Sequence, residues 1–520
     1  MRRVLALGLF LLPFAASLSD ARAQVPAPLA PVAELPDLAV NARGALPKIE
    51  AEVARGMGLF DIPGVAVGIV HQDKLIYAKG FGTRAKGGAP VDPRTVFQIG
   101  STTKAFLSTT LAMAVDKDVL NWDDRVVVLD PSFQLADPVT TREFRVFDLT
   151  AQRSGLPPYV NDVMTILGYP EDRLVHSLRF ADPVASFRST FTYTNITHLA
   201  AGRMLAHLRR EPNWNALVEK DILVPLGMRE TTATAEAIRA APNHAEGHRW
   251  TPKGSVQIPF DPFFPYALGP AGNLNSTVED MSRWLRLQIA DGMFEGKALV
   301  SRENLVATRV AKVGITETIS YGEGWVLSQT PRGRVVWHNG GTSGFGTHVG
   351  FLPDYGLGIV VLSNLQNQGF ADALAMTAYD LILQNPPTDH LTTALDRAKA
   401  DAERTSTAFD RPEKPSAPPD LAPLAGTYVS PMFGPATLSV EGGRAVLSLA
   451  DTGARMALDP FDGAVFIARL LPDGRFRTVL DMAGDEPMGF LAFIPDSNGK
   501  LTRLDWLYTE GQTYSFQRRQ

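Results

Sequence analysis

"FQIGSTTKAFLSTTLAMAV", Phe97 to Val115, is the stretch whose reading decides this chain. A β-like run ends at Gly100, and Ser101-Thr102-Thr103-Lys104 then opens a segment whose other residues are almost all apolar. A helix that is hydrophobic all round is a buried one, so a lysine in its first turn needs a reason. The ordinary role of a serine at such a position is a cap, accepting backbone N–H groups that have no other partner. A lysine three residues on lies on the same face as that serine, within reach of its hydroxyl. The helix N-terminus favours negative charge and burial disfavours an ammonium. Together they provide a deprotonated amine beside a hydroxyl, which is how a weak nucleophile acquires a base.

On both sides of this segment the pattern is regular. "GVAVGIV" (Gly64 to Val70) and "KLIYAKGFG" (Lys74 to Gly82) are β-rich runs with a hairpin signal between them, and a helix begins near Lys48. Further helices are expected at Ile196 to Leu208, at Thr277 to Asp291 with Met281, Trp284, Leu285 and Ile289 on one face, and at Ala371 to Leu383. Strands return at "GRVVWHNGG", "HVGFLPD" and "LGIVVLSN". Strands at both ends of a mainly helical middle predict an α/β (α+β) fold: a central antiparallel sheet built from N- and C-terminal pieces, flanked by helices, with a helical insertion on one side.

The chain of 520 residues exceeds what one hydrophobic core supports. Residues 1–23 have the parts of a signal peptide: Arg2 and Arg3, an apolar run to Ala16, and "ARA" before Gln24. They predict a periplasmic or secreted chain without a membrane span after cleavage. Residues 24–47, rich in Pro and Ala, read as a flexible leader, 48–384 as the main domain, and 385–419 as a linker carrying a polar helix. In residues 420–520 alternating apolar and polar positions with Gly-Gly and Asp-Gly turns predict a small all-β domain, and "GRFRTVLDM" is included in that alternation. The net charge of −5 and the lack of a long basic run exclude nucleic acid as an expected partner. No cysteine is present, so a nucleophile must be something other than a thiol.

Two later motifs complete the first. "FTYTN" supplies Tyr193-Thr194-Asn195, and "VVWHNGG" supplies His338-Asn339-Gly340-Gly341. In this order and at these separations, the set resembles the serine β-lactamase and penicillin-binding-protein superfamily, its class C branch above all. The resemblance spans about Ile49 to Leu383 and includes "PLGM" (Pro225 to Met228), "GNLNSTVEDMSRWL" (Gly272 to Leu285) and "YGEGW" (Tyr321 to Trp325). It implies that Ser101 is acylated, that Lys104 takes its proton, and that Tyr193 returns a proton to the leaving group and helps activate water. It further implies that Asn195 donates its amide to a substrate carbonyl, that His338 and Gly340 form the substrate-facing strand, and that backbone N–H groups of Ser101 and Gly341 hold the oxyanion. No cofactor or metal is implied. The C-terminal region resembles the lipocalin-like domain appended to such hydrolases, with walling of the cleft or self-association as its expected roles.

Two departures shape the functional reading. Many relatives carry Lys-Thr-Gly where this chain has His338-Asn339-Gly340; a lysine is a permanent cation, whereas histidine is mostly neutral at pH 7. The His-x-Gly form resembles D-aminopeptidases and related hydrolases more than enzymes that hold an anionic antibiotic. Gln152 replaces a histidine in "LTAQRSGLP", a position usually structural. The expectation is an exported serine peptidase or amidase acting on small or linear peptides, D-aminopeptidase-like or similar to a linearised-microcystin hydrolase. An esterase, a β-lactamase and a penicillin-recognising sensor with little turnover are the alternatives. "HAEGH" (His244 to His248) places its glutamate at the wrong offset for a zinc helix, so no metal site is expected there.

Overall fold

The computed structural model describes residues 38–330, 333–509 and 511–519; the expected signal peptide and the leader up to residue 37 lie outside them. Helix α1 (Leu38–Phe60) is followed by β1 (Gly64–His71) and β2 (Lys74–Gly82), then by α2 (Thr103–Val115), α3 (Ile196–Arg209) and α4 (Val278–Ile289). Strands β3 (Val313–Gly314), β4 (Ile319–Tyr321), β5 (Val326–Thr330), β6 (Gly333–Gly341), β7 (Gly346–Leu352) and β8 (Leu357–Ser363) precede α5 (Phe370–Leu383) and α6 (His390–Thr407). The main sheet has the order β2-β1-β8-β7-β6-β5-β4-β3. Its N- and C-terminal pieces join where β1 pairs antiparallel with β8, Val65 opposite Ser363 and Ile69 opposite Ile359.

Strands β1, β7 and β8 are buried along nearly their whole length, because both faces of the sheet are covered. On one face α1 and α5 pack around Phe60, Val65, Ile359 and Phe370; on the other, α4 lays Met281, Trp284 and Leu285 against the sheet and against α2. Thr277 caps α4, accepting from the Asp280 amide at 3.1 Å. Trp284 stacks on Phe106 of α2, with ring centroids 3.8 Å apart. From Thr103 to Ala114 every residue of α2 is buried. Its hydroxyls are satisfied within the helix: Ser108, Thr109 and Thr110 donate to the carbonyls of Lys104, Ala105 and Phe106.

Two expectations change. The leader predicted to run to residue 47 ends earlier, since α1 begins at Leu38 and continues through Pro47 with Leu38, Ala42 and Ala45 buried. A proline inside a helix loses a hydrogen bond, which is why the pattern read as interrupted there; the preceding turns nevertheless bury Leu38, Ala42 and Ala45 in the core. The polar helix of the expected linker is α6, which is bound to the main domain rather than free. Leu391, Leu395 and Ala398 are buried, and Arg55 of α1 is paired with Asp389 at 2.7 Å.

The C-terminal region is a closed barrel of eight antiparallel strands in sequence order, from Gly426–Ser430 to Thr513–Arg518, with first and last strands paired. Tyr428, Phe433, Trp506 and Phe516 fill it. One segment read as strand is a helix, α7 (Phe476–Ala483), in "GRFRTVLDM". Its apolar residues Phe476, Val479, Leu480 and Met482 follow helical spacing, and all four are buried. The barrel docks on the insertion: Tyr169 donates to the Phe433 carbonyl at 2.7 Å, Arg173 to that of Met432 at 3.1 Å, and Arg475 to that of Ile166 at 3.0 Å. Among the described residues no helix is long and apolar enough to cross a membrane.

Candidate active site

Ser101 sits in a single 3-10 turn, Gly100–Thr102, that feeds directly into α2. The turn is pressed against the end of β6. A side chain at Gly340 would put its first carbon 1.9 Å from the Ile99 carbonyl oxygen, and one at Gly100 would meet the Gly341 backbone at 2.8 Å. Glycine at these two places is therefore what lets the serine turn and the third motif lie side by side. Thr347 of β7 locks the junction by donating to the Ile99 carbonyl at 3.0 Å.

Lys104 is wholly buried, and its Nζ meets three groups: Ser101 Oγ at 3.0 Å, Asn195 Oδ1 at 2.7 Å and the Ala271 carbonyl at 2.7 Å. Burial holds the Lys104 pKa well below that of an ordinary lysine, against the pull of Asp162. A neutral amine has two N–H donors and one lone pair. Two of its neighbours, an amide oxygen and a carbonyl, can only accept. They take both N–H groups, and the lone pair is left facing the Ser101 hydroxyl.

The orientation of Asn195 is set in turn by Asp162. Asn195 Nδ2 donates to Asp162 Oδ2 at 2.5 Å, which fixes the amide oxygen on the lysine side. The amide nitrogen has a second N–H, so the expected donation to a substrate carbonyl is compatible with this bond. Asp162 is itself buried, and burial raises its carboxyl pKa to about 6 despite the Asn195 bond and the Lys104 charge.

Tyr193 lies with its ring 4.7 Å from the Lys104 Nζ. Its hydroxyl is buried and close enough to Ser101 to be influenced by it, yet makes no hydrogen bond of normal geometry with any protein group. Burial pushes the phenol pKa up, so it is held protonated. Gln152 supports this motif from behind: its Oε1 accepts from the Thr194 amide at 2.6 Å and the Thr194 hydroxyl at 3.0 Å. The residue that departs from the usual histidine thus anchors Thr194, between Tyr193 and Asn195.

His338 is buried, with Nδ1 2.6 Å from the Asn339 carbonyl and Nε2 2.9 Å from the Tyr321 hydroxyl. The carbonyl only accepts, so Nδ1 carries the proton and Nε2 accepts from Tyr321. Burial and the neighbouring Lys104 hold its pKa down to about 3, and the ring is neutral. Both nitrogens are occupied, so direct contact with a substrate requires the Tyr321 bond to open. The histidines of "HAEGH" face different partners: His244 the Ala241 carbonyl at 2.5 Å and Glu246 at 3.3 Å, His248 the Asn364 carbonyl at 3.0 Å.

The structure thus gathers Ser101, Lys104, Tyr193, Asn195, His338, Gly340 and Gly341 at one place. It adds Asp162, Tyr321 and the Ala271 carbonyl, none of which a local motif singles out. Tyr321 lies in the quoted "YGEGW" but without a role there; Asp162 lies in a loop with no periodic signal.

Comparison with known proteins fits this arrangement. The family model described as Beta-lactamase matches residues 49–384. The chain is 25% identical over 448 residues to unguisins hydrolase ungD′ of Aspergillus campestris, covering 80% of this chain and 83% of that protein. It is 26% identical over 383 residues to penicillin-binding protein 4 of Amycolatopsis lactamdurans, covering 71% of this chain and 93% of that one. Its fold is similar to that of the octameric penicillin-binding protein homologue from Pyrococcus abyssi, with a TM-score of 0.59 at 20% identity, covering 91% of this chain and 100% of the other. With the matched segment holding all three motifs and their contacts, the chain belongs to the beta-lactamase family.

Proposed function

We propose that this protein is a serine hydrolase that cleaves amide bonds of small or linear peptides through an acyl-enzyme on Ser101. The observation that carries the reading is the Lys104 environment: two acceptors and one hydroxyl around a buried amine. As Ser101 Oγ bonds to the substrate carbonyl carbon, its proton passes to Lys104 Nζ. The oxyanion forms beside the backbone of Ser101 and Gly341. When the C–N bond breaks, the departing nitrogen takes a proton from the protonated phenol of Tyr193, which regains one from Lys104. Water then attacks the ester carbonyl, delivering a proton back through the same groups, and the acid leaves with Ser101 restored.

His338 favours peptides over β-lactam antibiotics, because a neutral, doubly bonded imidazole offers no fixed positive charge to a substrate carboxylate. The relative named as an unguisins hydrolase supports hydrolysis as the reaction class. An esterase on short acyl esters uses the same steps and is the second reading. The chain is exported and self-associates through its barrel; the octameric state of the homologue from Pyrococcus abyssi supports self-association in general.

A panel of p-nitrophenyl esters, D- and L-aminoacyl anilides, short peptides and nitrocefin, run on wild type and on Ser101→Ala, tests it. Turnover of an anilide or peptide that Ser101→Ala abolishes is expected. Turnover of esters alone would select the esterase, and rapid nitrocefin hydrolysis would overturn the argument from His338.

A further inference from the structure

Asp162 immediately precedes the short helix Val163–Leu167, a place where an aspartate ordinarily caps the first turn, yet its side chain makes no cap bond. Instead Oδ2 accepts from Asn195 Nδ2 at 2.5 Å, and Oδ1 is buried with no hydrogen-bond partner among the described residues. The residue is only 9% exposed. Orienting Asn195 does not need this group, since an asparagine would accept the same bond without the cost of burying a charge. The charge itself therefore needs a reason.

Asn195 Oδ1 accepts from Lys104 Nζ at 2.7 Å, so a single amide joins the carboxylate to the base. Among the described residues Lys104 is the one cation that acts on Asp162, and Asp162 the one carboxylate that acts on Lys104. His198 of α3 and His338 of β6 lie close enough to feel Lys104, and burial keeps both rings neutral; Tyr193 is held protonated. Asp261 and Glu486 line the cleft that Asp162 also lines, but Asp261 lies near Arg475, and Glu486 near Arg249 and Arg469.

While Lys104 is the neutral base, it and an ionised Asp162 together carry one unbalanced negative charge. As Ser101 Oγ bonds to the carbonyl carbon, its proton passes to Nζ, and the amine becomes an ammonium with three N–H groups. Asn195 Oδ1, the Ala271 carbonyl and Ser101 Oγ stand ready to accept them, and the charges of the pair now balance. An amide whose N–H is given to a carboxylate is also polarised, which makes its oxygen a stronger acceptor on the lysine side. Both effects are larger after the proton has moved than before, which is the condition for lowering a barrier.

We infer that Asp162 is a positioning residue of the proposed reaction, acting through the Asn195 amide as the fixed counter-charge to the ammonium that Lys104 becomes during acylation. This role deepens the serine-hydrolase reading and rests on it. Burial lowers the proton affinity of Lys104 and the Asp162 charge restores part of it, so the amine is neutral at rest yet basic enough to take the serine proton. The carboxyl of Asp162, raised to about 6 by burial, supplies that charge above this pH and withdraws it below.

Two readouts on the full chain test it. The first is the rate of fluorophosphonate labelling against pH. Asp162→Asn keeps an acceptor for Asn195 and loses only the charge; its plateau rate should fall about fivefold and the midpoint of its pH profile should move down by about one pH unit. Asp162→Leu loses orientation as well and should fall about 10²-fold, whereas Asp162→Glu should return the midpoint to its wild-type place. A slower Asp162→Asn with an unmoved midpoint would reduce the residue to a structural one and overturn the counter-charge. The second readout needs no reaction: NMR of Ser101→Ala carrying [ε-13C]lysine, with the Lys104 signal assigned by its loss in Lys104→Met. Its titration midpoint should drop by about one pH unit on adding Asp162→Asn and recover with Asp162→Glu. Labelled wild type with an unmoved Lys104 midpoint sinks the counter-charge alone; a midpoint that moves in a chain that takes no label sinks the hydrolase alone.

Discussion

The serine site and the barrel helix α7 are built on opposite plans. On the hydrolase side polar atoms are committed to one another: Lys104 to Ser101, Asn195 and Ala271, Asn195 to Asp162, His338 to Tyr321 and Asn339. On the barrel side α7 presents Val479, Leu480 and Met482, which pack by shape and make no directional bonds. A committed polar wall fixes protonation states and geometry, so a single change there alters chemistry. An apolar face sets only size and fit, so a change there alters packing and leaves the chemistry in place.

The largest effect expected from breaking this contrast is at Lys104. Lys104→Arg puts a permanent cation where the neutral amine stands, one that cannot lose its proton at working pH, and acylation should fall by about 10³-fold, within the range of general-base catalysis. Stopped-flow labelling with a fluorophosphonate reads it, and near-normal rates would remove Lys104 as the base. In the wild type the same rate should rise with pH through an apparent pKa well below that of an ordinary lysine. Tyr193→Phe removes the phenol proposed to protonate the leaving group but leaves Ser101 and Lys104 in place. Amide turnover should drop by about 10²-fold, and esters with good leaving groups should be affected less; equal losses on both would assign the ring to packing.

A smaller effect concerns His338, whose folded pKa of about 3 lies below its unfolded value of about 6.5. Between these values the unfolded chain binds the proton and the folded one does not, so the contribution to stability is full above about 6.5 and is lost as pH falls. Compared with His338→Gln, the wild type should lose about 1.4 kcal/mol of stability per pH unit below that point. Denaturant titrations at pH 7 and pH 5 measure the difference, and a pH-independent gap would mean that the ring is charged or exposed. The smallest effect on turnover is expected on α7. Leu480→Ala should leave kcat within about twofold, because none of the groups that move protons is touched; a large fall in kcat would show that α7 positions the chemistry as well.

The same contrast separates what the sequence made legible from what it did not. Ser101 and Lys104 are one helical turn apart, and their pairing follows from periodicity alone. The buried sheet strands and α4 were equally readable, because their apolar spacing is local. Asp162 bonds to a residue 33 positions away, and Lys104 to groups 91 and 167 positions away. No local pattern encodes such contacts; Ala271 takes part through its backbone, which carries no residue signal at all. Helix α7 was hidden by a neighbourhood of true strands, although its spacing at 476, 479 and 480 is helical. The start of α1 was hidden by Pro47, whose local penalty gives no sign of the burial that offsets it.

In the proposed mechanism a neutral Lys104 makes Ser101 the nucleophile. Intact-mass spectrometry and peptide mapping after fluorophosphonate treatment test it most directly. One adduct is expected on the wild-type chain, mapped to the peptide containing Ser101 and absent from Ser101→Ala. An adduct that persists in Ser101→Ala, or a wild-type chain that takes none, would contradict it.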